Sequence, residues 1–218
     1  MKEEVRLELL KKIITENDIE KKLRKRKRDY LNVSVSKKNI AELEDYLNKG
    51  WVHDKEFVNK VRLKKYKSND ILFEDKVWSL FASLGFKFMN ENRKFQIPYD
   101  KHNPELTQQI DILAKDQESI IVIECKSTKE KNKRGDFKKE LEAYKSKMQG
   151  IRTSLKRLFP DRKLKFQFIL ATENYSISDK DMERLKVING IHFDDETINY
   201  YYEMLKQIGI AARYQLLG

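Results

Sequence analysis

The sequence predicts an α/β protein in which helices flank a mixed central sheet, in the order αβββαβ, behind an N-terminal helical appendage. From residue 69 onward, stretches with a helical period of about 3.6 alternate with short apolar runs typical of strands. Helices interleaved with strands favour a sheet that is covered on both faces. The length of 218 residues fits one domain with an appendage, because domains cluster at roughly 100–150 residues.

The composition is dominated by charge. Lys and Arg number 46 against 35 Asp and Glu, which gives a net charge of +11, while 11% aromatic residues provide enough apolar material for a core. A single cysteine, Cys125, excludes a disulfide framework and a Cys-x-x-Cys zinc site. No apolar run approaches the ~18 residues of a membrane span. We therefore expect a cytoplasmic protein with no membrane partner, whose positive charge favours a polyanion.

The first 68 residues predict a basic helical arm. Three charged helical patterns cover most of it: 1–28, 36 or 37 to 48, and 54–66. Residues 21–28 read KKLRKRKR and include Arg24, Arg26 and Arg28. This run is either an arm that binds nucleic acid, which we favour, or a charged helix end.

The second predicted domain covers 69–218. It begins with an amphipathic helix from Asn69 to Leu84, ended by Gly85. The later elements are strands at 86–89, 94–98, 109–114 and 119–125, a helix at 136–159, a strand at 164–171, a helix at 178–185, a strand at 187–193 and a helix from 194 or 195 to 208. Because residues 214–218 are largely apolar, we expect a further C-terminal domain as a partner.

Two predicted strands end in charged residues. The segment Ile-Ile-Val-Ile-Glu-Cys-Lys-Ser places Glu124 and Lys126 on one face of a strand and Cys125 on the other. Asp111 interrupts the preceding run and would meet Glu124 if the two strands pair as a hairpin. Two carboxylates at a core edge repel each other unless a cation joins them. The pattern favours Mg²⁺ or Mn²⁺, held by both carboxylates and the Cys125 backbone carbonyl, over a structural ion pair.

Glu74 is a third candidate metal ligand. At about 100° per residue it falls within the apolar arc of its helix, whereas Asp75 and Ser79 fall outside that arc. A buried glutamate needs a partner, which a metal ion would provide; the alternative is a carboxylate favoured by the dipole of the helix start. Gln109 shares the face of Asp111 and is either an auxiliary contact to substrate or a polar strand-end residue.

Glu74, Asp111 and Glu124-Cys125-Lys126, in this order of elements, resemble the PD-(D/E)xK nuclease superfamily of restriction enzymes and junction resolvases. Its pattern is an acid on one strand, Glu-x-Lys on the next, and often a glutamate on the preceding helix; here Ile-Asp replaces Pro-Asp. The segments Phe-Glu-Asp-Lys-Val-Trp, Gln-Ile-Asp and Ile-Glu-Cys-Lys-Ser are more narrowly similar to the N-terminal nuclease-like region of DGQHR-domain proteins. Those proteins are associated with DNA modification and phage defence.

The resemblance implies a restriction-endonuclease-like core, over about 69–193, and a metal-dependent DNA endonuclease. In it Asp111, Glu124, Glu74 and the Cys125 carbonyl would hold the metal, and Lys126 would activate or position the attacking water. The rival is a catalytically inactive module that keeps the fold and binds DNA or a partner domain. A third possibility, an enzyme that acts on RNA, is supported by the positive charge alone. Cleavage of both DNA strands would favour a homodimer.

A second basic block follows the Glu-Cys-Lys strand. Residues 131–165 contain thirteen basic and four acidic residues. They form either a surface that tracks phosphates or an ordinary solvated helix face. The residues that we expect to contact nucleic acid are Lys129, Lys131, Lys133, Arg134 and Lys138, together with Arg24, Arg26 and Arg28.

Overall fold

The structure, a computed structural model, describes residues 3–160 and 163–217. Its helices are α1 (Glu3–Leu10), α2 (Glu16–Arg26), α3 (Ile40–Asn48), α4 (Asn69–Ser83), α5 (Lys138–Leu158), α6 (Asp179–Val187), α7 (Asp195–Ile208) and α8 (Arg213–Leu217), with a 3-10 turn at Gly209–Ala212. Its strands are β1 (Ile13–Thr15), β2 (Tyr30–Ser36), β3 (Val52–Glu56), β4 (Lys60–Tyr66), β5 (Phe88–Asn90), β6 (Phe95–Pro98), β7 (Thr107–Ile110), β8 (Ile112–Lys115), β9 (Ser119–Ser127), β10 (Lys133–Arg134), β11 (Lys165–Glu173), β12 (Tyr175–Ser176) and β13 (Gly190–Phe193). None of the helices in these ranges has the length and apolar character that crossing a bilayer requires.

The central sheet is mixed, in the strand order β1-β5-β8-β9-β11-β13. Neighbours from β1 to β9 are antiparallel, whereas β9, β11 and β13 are parallel. Parallel neighbours need a crossover connection, and α5 and α6 lie in the two connections. The predicted mixed sheet flanked by helices is confirmed.

Apolar side chains cover both faces of this sheet. Ile121 and Ile123 of β9 pack with α4, whereas Ile120 and Val122 pack with α5, because successive residues of a strand point to opposite faces. All four are at most 2% exposed. The same alternation decides on which side of the sheet each residue at the carboxyl end of β9 lies.

The helix predicted for Asp54–Tyr66 is wrong. These residues contribute to β3 and β4, which form a three-stranded antiparallel sheet with β2 in the order β2-β4-β3. Val61 and Leu63 alternate with charged residues at the two-residue period of a strand, and they pack against Val35 of β2. Because only two apolar residues of β4 carry this period, the charged composition concealed it. Strand β2 was not predicted.

The helix predicted for 1–28 is interrupted, and its first two residues lie outside the described ranges. Ile13 and Ile14 form most of β1, which pairs with β5 at the edge of the central sheet. Consecutive β-branched residues favour extended backbone, which explains the break. Helix α2 then packs on α4 and buries Ile19 in the core. This part of the predicted arm therefore packs onto the central sheet and its helices.

Candidate active site

Strands β8 and β9 bring Asp111 and Glu124 to the same end of the sheet. Ile112 lies opposite Ile123 in their antiparallel register, so the next residues outward are Asp111 and Glu124. The expected pairing of the two strands is confirmed. The single strand predicted for 109–114 is instead two strands, because β7 ends before Asp111 and β8 begins after it.

Asn90, a residue that the sequence analysis missed, holds this break. It is 0% exposed on β5. Its side-chain nitrogen donates to the carbonyl oxygen of Asp111 at 2.9 Å, and its Oδ1 accepts from the N–H of Leu113 at 3.0 Å. Buried backbone groups need such partners where a ladder is interrupted. An asparagine that ends the apolar pair Phe88-Met89 is the sequence feature that could have revealed it.

Backbone groups of β9 fix the carboxylate of Asp111. Oδ2 accepts a hydrogen bond from the N–H of Cys125 at 2.9 Å, and the side-chain nitrogen of Gln109 lies 3.4 Å from Oδ1. The Cys125 side chain packs against the core beneath α4. Burial raises the pKa of its thiol well above the usual range, so the thiol is not an activated nucleophile. The backbone of Cys125, rather than its sulfur, faces the acids.

Glu124 is held from two sides. The Tyr144 hydroxyl on α5 donates to Oε2 at 2.6 Å, and Nζ of Lys126 lies 3.0 Å from Oε1. Burial, followed by repulsion from Asp111, raises the pKa of Glu124, although Lys126 and Tyr144 act in the other direction. A carboxylate disfavoured by burial and by a second carboxylate is one that a further cation would stabilise.

Tyr144 is the second residue that the sequence analysis missed. It lies in the buried stripe of α5 with Leu141 and Met148, and it is 3% exposed. A buried tyrosine hydroxyl usually finds a hydrogen-bond partner, so its position in an apolar stripe was an indication of a nearby polar group. The partner, Glu124, comes from the strand that precedes the helix.

Lys126 is a cation at this site. Its Nζ contacts Glu124 and lies 3.9 Å from Glu140. Burial lowers its pKa, but the carboxylates of Glu124, Glu140 and Asp111 outweigh burial and raise the pKa above the usual value. The side chain is 31% exposed. At neutral pH, Lys126 is thus a protonated donor that a bound substrate can reach.

Glu74 lies near these acids but is paired with arginines. Its Oε1 is 3.6 Å from Nη1 of Arg26 and 3.5 Å from Nε of Arg93. Burial raises the pKa of Glu74 to about 7; Asp111 and Asp75 also raise it, while Arg93 and Arg26 lower it. The predicted inward direction of Glu74 agrees with this burial and with its coupling to Asp111. The arginines were not foreseen.

The expectation that Asp75 and Ser79 lie outside the buried arc of α4 is wrong, since each is 3% exposed. Helix α2 covers that side of α4. The carboxylate of Asp75 pairs with Nη1 of Arg26 at 2.7 Å, with Nζ of Lys67 at 2.9 Å and with Arg93. The side chain of Arg26 is therefore only 4% exposed and is not part of an exposed basic arm.

The other predicted nucleic-acid contacts are exposed: Lys129, Lys131, Lys133, Arg134, Lys138, Arg24 and Arg28. Strand β10, which contains two of them, pairs in parallel with β12. We call residues 129–134 the basic loop. Because β12 follows β11 directly, the pairing of β10 with β12 holds the basic loop at the carboxyl end of β9 and β11. Glu124 and Lys126 lie at that same end, so the basic loop borders the acidic residues.

The donor set suits a hydrated Mg²⁺ or Mn²⁺ ion. Magnesium is usually bound through one or two carboxylates, with waters and substrate phosphates completing the shell. Asp111, Glu124 and the carbonyl of Cys125 are oxygen donors of this kind. Within 3–160 and 163–217, no group of three His, Cys, Asp or Glu side chains that could hold a metal ion is found, so Glu74, Asp111 and Glu124 are not assembled as a three-carboxylate set. The oxygens of Asp111, Glu124 and Cys125 would leave the rest of an octahedral shell to water and substrate.

Comparison with known proteins does not identify the chain. No family model and no curated protein match it. Among solved structures it is similar to the crystal structure of protein VC1899 from Vibrio cholerae, at 13% sequence identity and a TM-score of 0.34. The match covers 95% of this chain and 53% of that one, so the chain spans about half the length of this neighbour.

Proposed function

We propose that the chain is a metal-dependent DNA endonuclease domain that hydrolyses phosphodiester bonds. The observation that carries this proposal is the placement of Asp111 and Glu124 at adjacent strand ends, with Lys126 Nζ 3.0 Å from Glu124. The resemblance to the PD-(D/E)xK superfamily supports a restriction-endonuclease-like core. The narrower likeness to DGQHR-domain proteins supports a role in DNA modification or phage defence.

In this proposal Asp111, Glu124 and the Cys125 carbonyl hold the metal. A bound Mg²⁺ or Mn²⁺ supplies polarisation of the phosphate and a more acidic water. The N–H of Cys125 and the hydroxyl of Tyr144 each fix one carboxylate oxygen, which orients the two ligands before substrate binds.

Lys126 contributes charge and orientation. Its protonated amine can donate to the attacking water and can offset negative charge that develops on the phosphate. The raised pKa of Lys126 makes it a poor proton acceptor in this state. Lys126 therefore activates or positions the attacking water and stabilises the developing charge.

The basic loop supplies sequence-independent affinity for the substrate. Its exposed residues Lys129, Lys131, Lys133 and Arg134 lie beside the carboxyl end of β9. Contacts between such residues and phosphates weaken steeply as salt concentration rises. The affinity for DNA should therefore fall with salt.

The test is DNA cleavage by the purified chain with Mg²⁺ or Mn²⁺. Lys126→Ala should slow cleavage by about 10²-fold or more, the usual effect of removing one donor from a developing charge. Lys186→Ala, an exposed lysine on α6, serves as the control and should cleave at the original rate. Equal rates for Lys126→Ala and the unchanged chain would overturn the proposal.

A catalytically inactive DNA-binding or partner-binding module is the second candidate. It is favoured by the ion pairs that Arg26 and Arg93 make with Glu74, which engage the carboxylate expected to assist the metal. This candidate predicts salt-sensitive DNA binding that needs no metal and does not respond to Glu124→Ala.

A further inference from the structure

A basic cavity of about 200 Å³ lies between α2, β2 and the first turns of α4. Its lining includes the cations Lys22, Lys25, Arg26, Arg28, Lys67 and Arg93. Asp75 is the carboxylate that faces them in this lining. We refer to it below as the basic cavity.

Part of this positive charge is buried. The side chains of Arg26 and Lys67 are 4% and 1% exposed, and Arg93 adds a third cation at 27%. The carboxylates that pair with them are Asp75 and Glu74, so three cations share two anions. An excess of charge taken out of water is unfavourable unless a counter-ion joins it.

The guanidinium of Arg26 has donor capacity left over. Its Nη1 donates to Asp75 at 2.7 Å, and its Nη2 lies 3.4 Å from the carbonyl oxygen of Glu91. Its buried Nε has no hydrogen-bond partner among the described residues. Arginine presents five N–H groups in a fork that matches phosphate oxygens. The wall of the basic cavity thus combines this buried arginine with five further cations and one carboxylate, which favours an anionic ligand.

We propose that the basic cavity binds a phosphate monoester, either the terminal phosphate of a nucleic-acid strand or a free mononucleotide. A monoester carries nearly two negative charges and three acceptor oxygens, which balances the excess of cations. The volume lies below the roughly 300–1,000 Å³ of sites for drug-sized ligands, so the cavity would enclose the phosphate and leave the rest of the ligand outside. The end of a nucleic-acid strand also enters a concave cavity more readily than the middle of a strand does, because from the middle the strand continues in both directions.

The basic cavity and the proposed active site share a wall. Glu74 and Asp75 are consecutive on α4, and Arg26 and Arg93 contact both carboxylates. A strand end in the cavity would thus lie beside the acidic residues. Binding of the phosphate does not rest on the proposed cleavage, and it is tested without metal.

The experiment measures binding in buffer that contains a chelator. The probes are one oligonucleotide with a 5′-phosphate, a 3′-phosphate or no phosphate, together with adenosine monophosphate and inorganic phosphate. A phosphorylated strand should bind about tenfold or more tightly than the unphosphorylated strand, because charge-assisted hydrogen bonds are the strong ones. If the mononucleotide binds more tightly than either phosphorylated strand, the free nucleotide is the ligand. Equal binding of all three oligonucleotides, without binding of the mononucleotide, would contradict the proposal.

A pair of double variants separates the cavity from general surface charge. Lys25→Ala with Arg28→Ala removes two exposed cations of the lining and should abolish the preference for phosphate. Lys180→Ala with Lys186→Ala removes the same charge from exposed positions on α6, outside the lining, and should preserve it. Equal loss in both variants would overturn the proposal. Lys126→Ala should keep the preference for the phosphorylated strand. Failure of the nuclease proposal and failure of the phosphate-binding proposal therefore give different results.

Discussion

Two polar clusters adjoin helix α4 and have opposite charge balances. At the end of the sheet, Nζ of Lys126 lies 3.0 Å from Glu124, and the pKa of Glu124 is raised by burial and by Asp111. Around Asp75, cations outnumber carboxylates, and the surrounding wall is basic. In each cluster, unbalanced charge that is shielded from water is energetically unfavourable, and an ion of the opposite sign would reduce this free-energy cost. The first cluster therefore favours a divalent cation and the second favours a phosphate.

Consecutive residues of one helix serve both clusters. Successive side chains on a helix point about 100° apart. Glu74 thus lies in the field of Asp111, while Asp75 faces α2 and the basic cavity. A short segment of α4 separates a cation site from an anion site in this account.

The largest effect on stability should come from Asp75→Asn. This change leaves Arg26, Lys67 and Arg93 with too few counter-charges, and breaking a buried ion pair typically costs about 3–5 kcal/mol. The measurement is the free energy of unfolding in urea. Asp70→Asn, an exposed carboxylate in the first turn of the same helix, should lower it by about 1 kcal/mol or less, the usual contribution of the helix dipole. A similar small change for Asp75→Asn would show that the cluster is solvated.

The sequence predicted more of the cluster at the end of the sheet than of the cluster around Asp75. Asp111, Glu124 and Lys126 could be predicted to lie together because each follows or interrupts an apolar run, which is a local feature of the sequence. The cluster around Asp75 could not, because Arg26, Lys67 and Arg93 come from three distant segments that only the fold brings together. The position of Asp75 on the helix predicted exposure, since nothing local indicated that α2 would cover it.

The same contrast between local features and distant contacts explains which elements of the fold could be predicted from the sequence. From Asn69 onward, periodicity predicted the order of the main helices and strands, since those elements bury apolar stripes, but it missed β10 and β12 and the break at Asp111. Strand β1 adds to the sheet edge through a pairing about 75 residues distant, between Ile13 and Asn90. The pair Ile13-Ile14 favours extended backbone, but three residues are too few to show the alternation of a strand. Strand β1 could not be told from the helices on either side.

The second largest effect is expected from Glu74→Gln, which should remove a pH dependence of the free energy of unfolding. The folded-state pKa of Glu74, about 7, lies above its usual value of 4.5, so stability from its protonated form is present at low pH and lost as pH rises through about 7. Arg26 and Arg93, and the carboxylates of Asp75 and Asp111, face this group. The Gln variant should match the unchanged chain near about pH 5 and exceed its free energy of unfolding by about 2–3 kcal/mol near about pH 8.

Urea unfolding across this pH range, in metal-free buffer, makes the measurement. Glu183→Gln is the control, because Glu183 is exposed on α6, and it should follow the unchanged chain at every pH. A constant difference between the Glu74→Gln variant and the unchanged chain would show that Glu74 titrates normally.

The smallest effect should come from Tyr144→Phe. This variant removes the hydroxyl that donates to Glu124 Oε2 at 2.6 Å and leaves the buried ring in place. A hydrogen bond to a charged group contributes roughly 1.5–3 kcal/mol, so we expect a loss of about 1.5 kcal/mol in the free energy of unfolding. Tyr66→Phe, on a side chain that is 65% exposed, should lose almost nothing. Equal losses would mean that Tyr144 does not hold Glu124.

The most direct test of the central claim is a calorimetric titration of the purified chain with Mn²⁺. Our account predicts about one ion per chain, bound through Asp111 and Glu124, and an affinity that falls about tenfold or more in Asp111→Asn and in Glu124→Gln. Asp70→Asn should bind as the unchanged chain does. Absence of binding by the unchanged chain, or an affinity that neither acidic variant alters, would contradict the account.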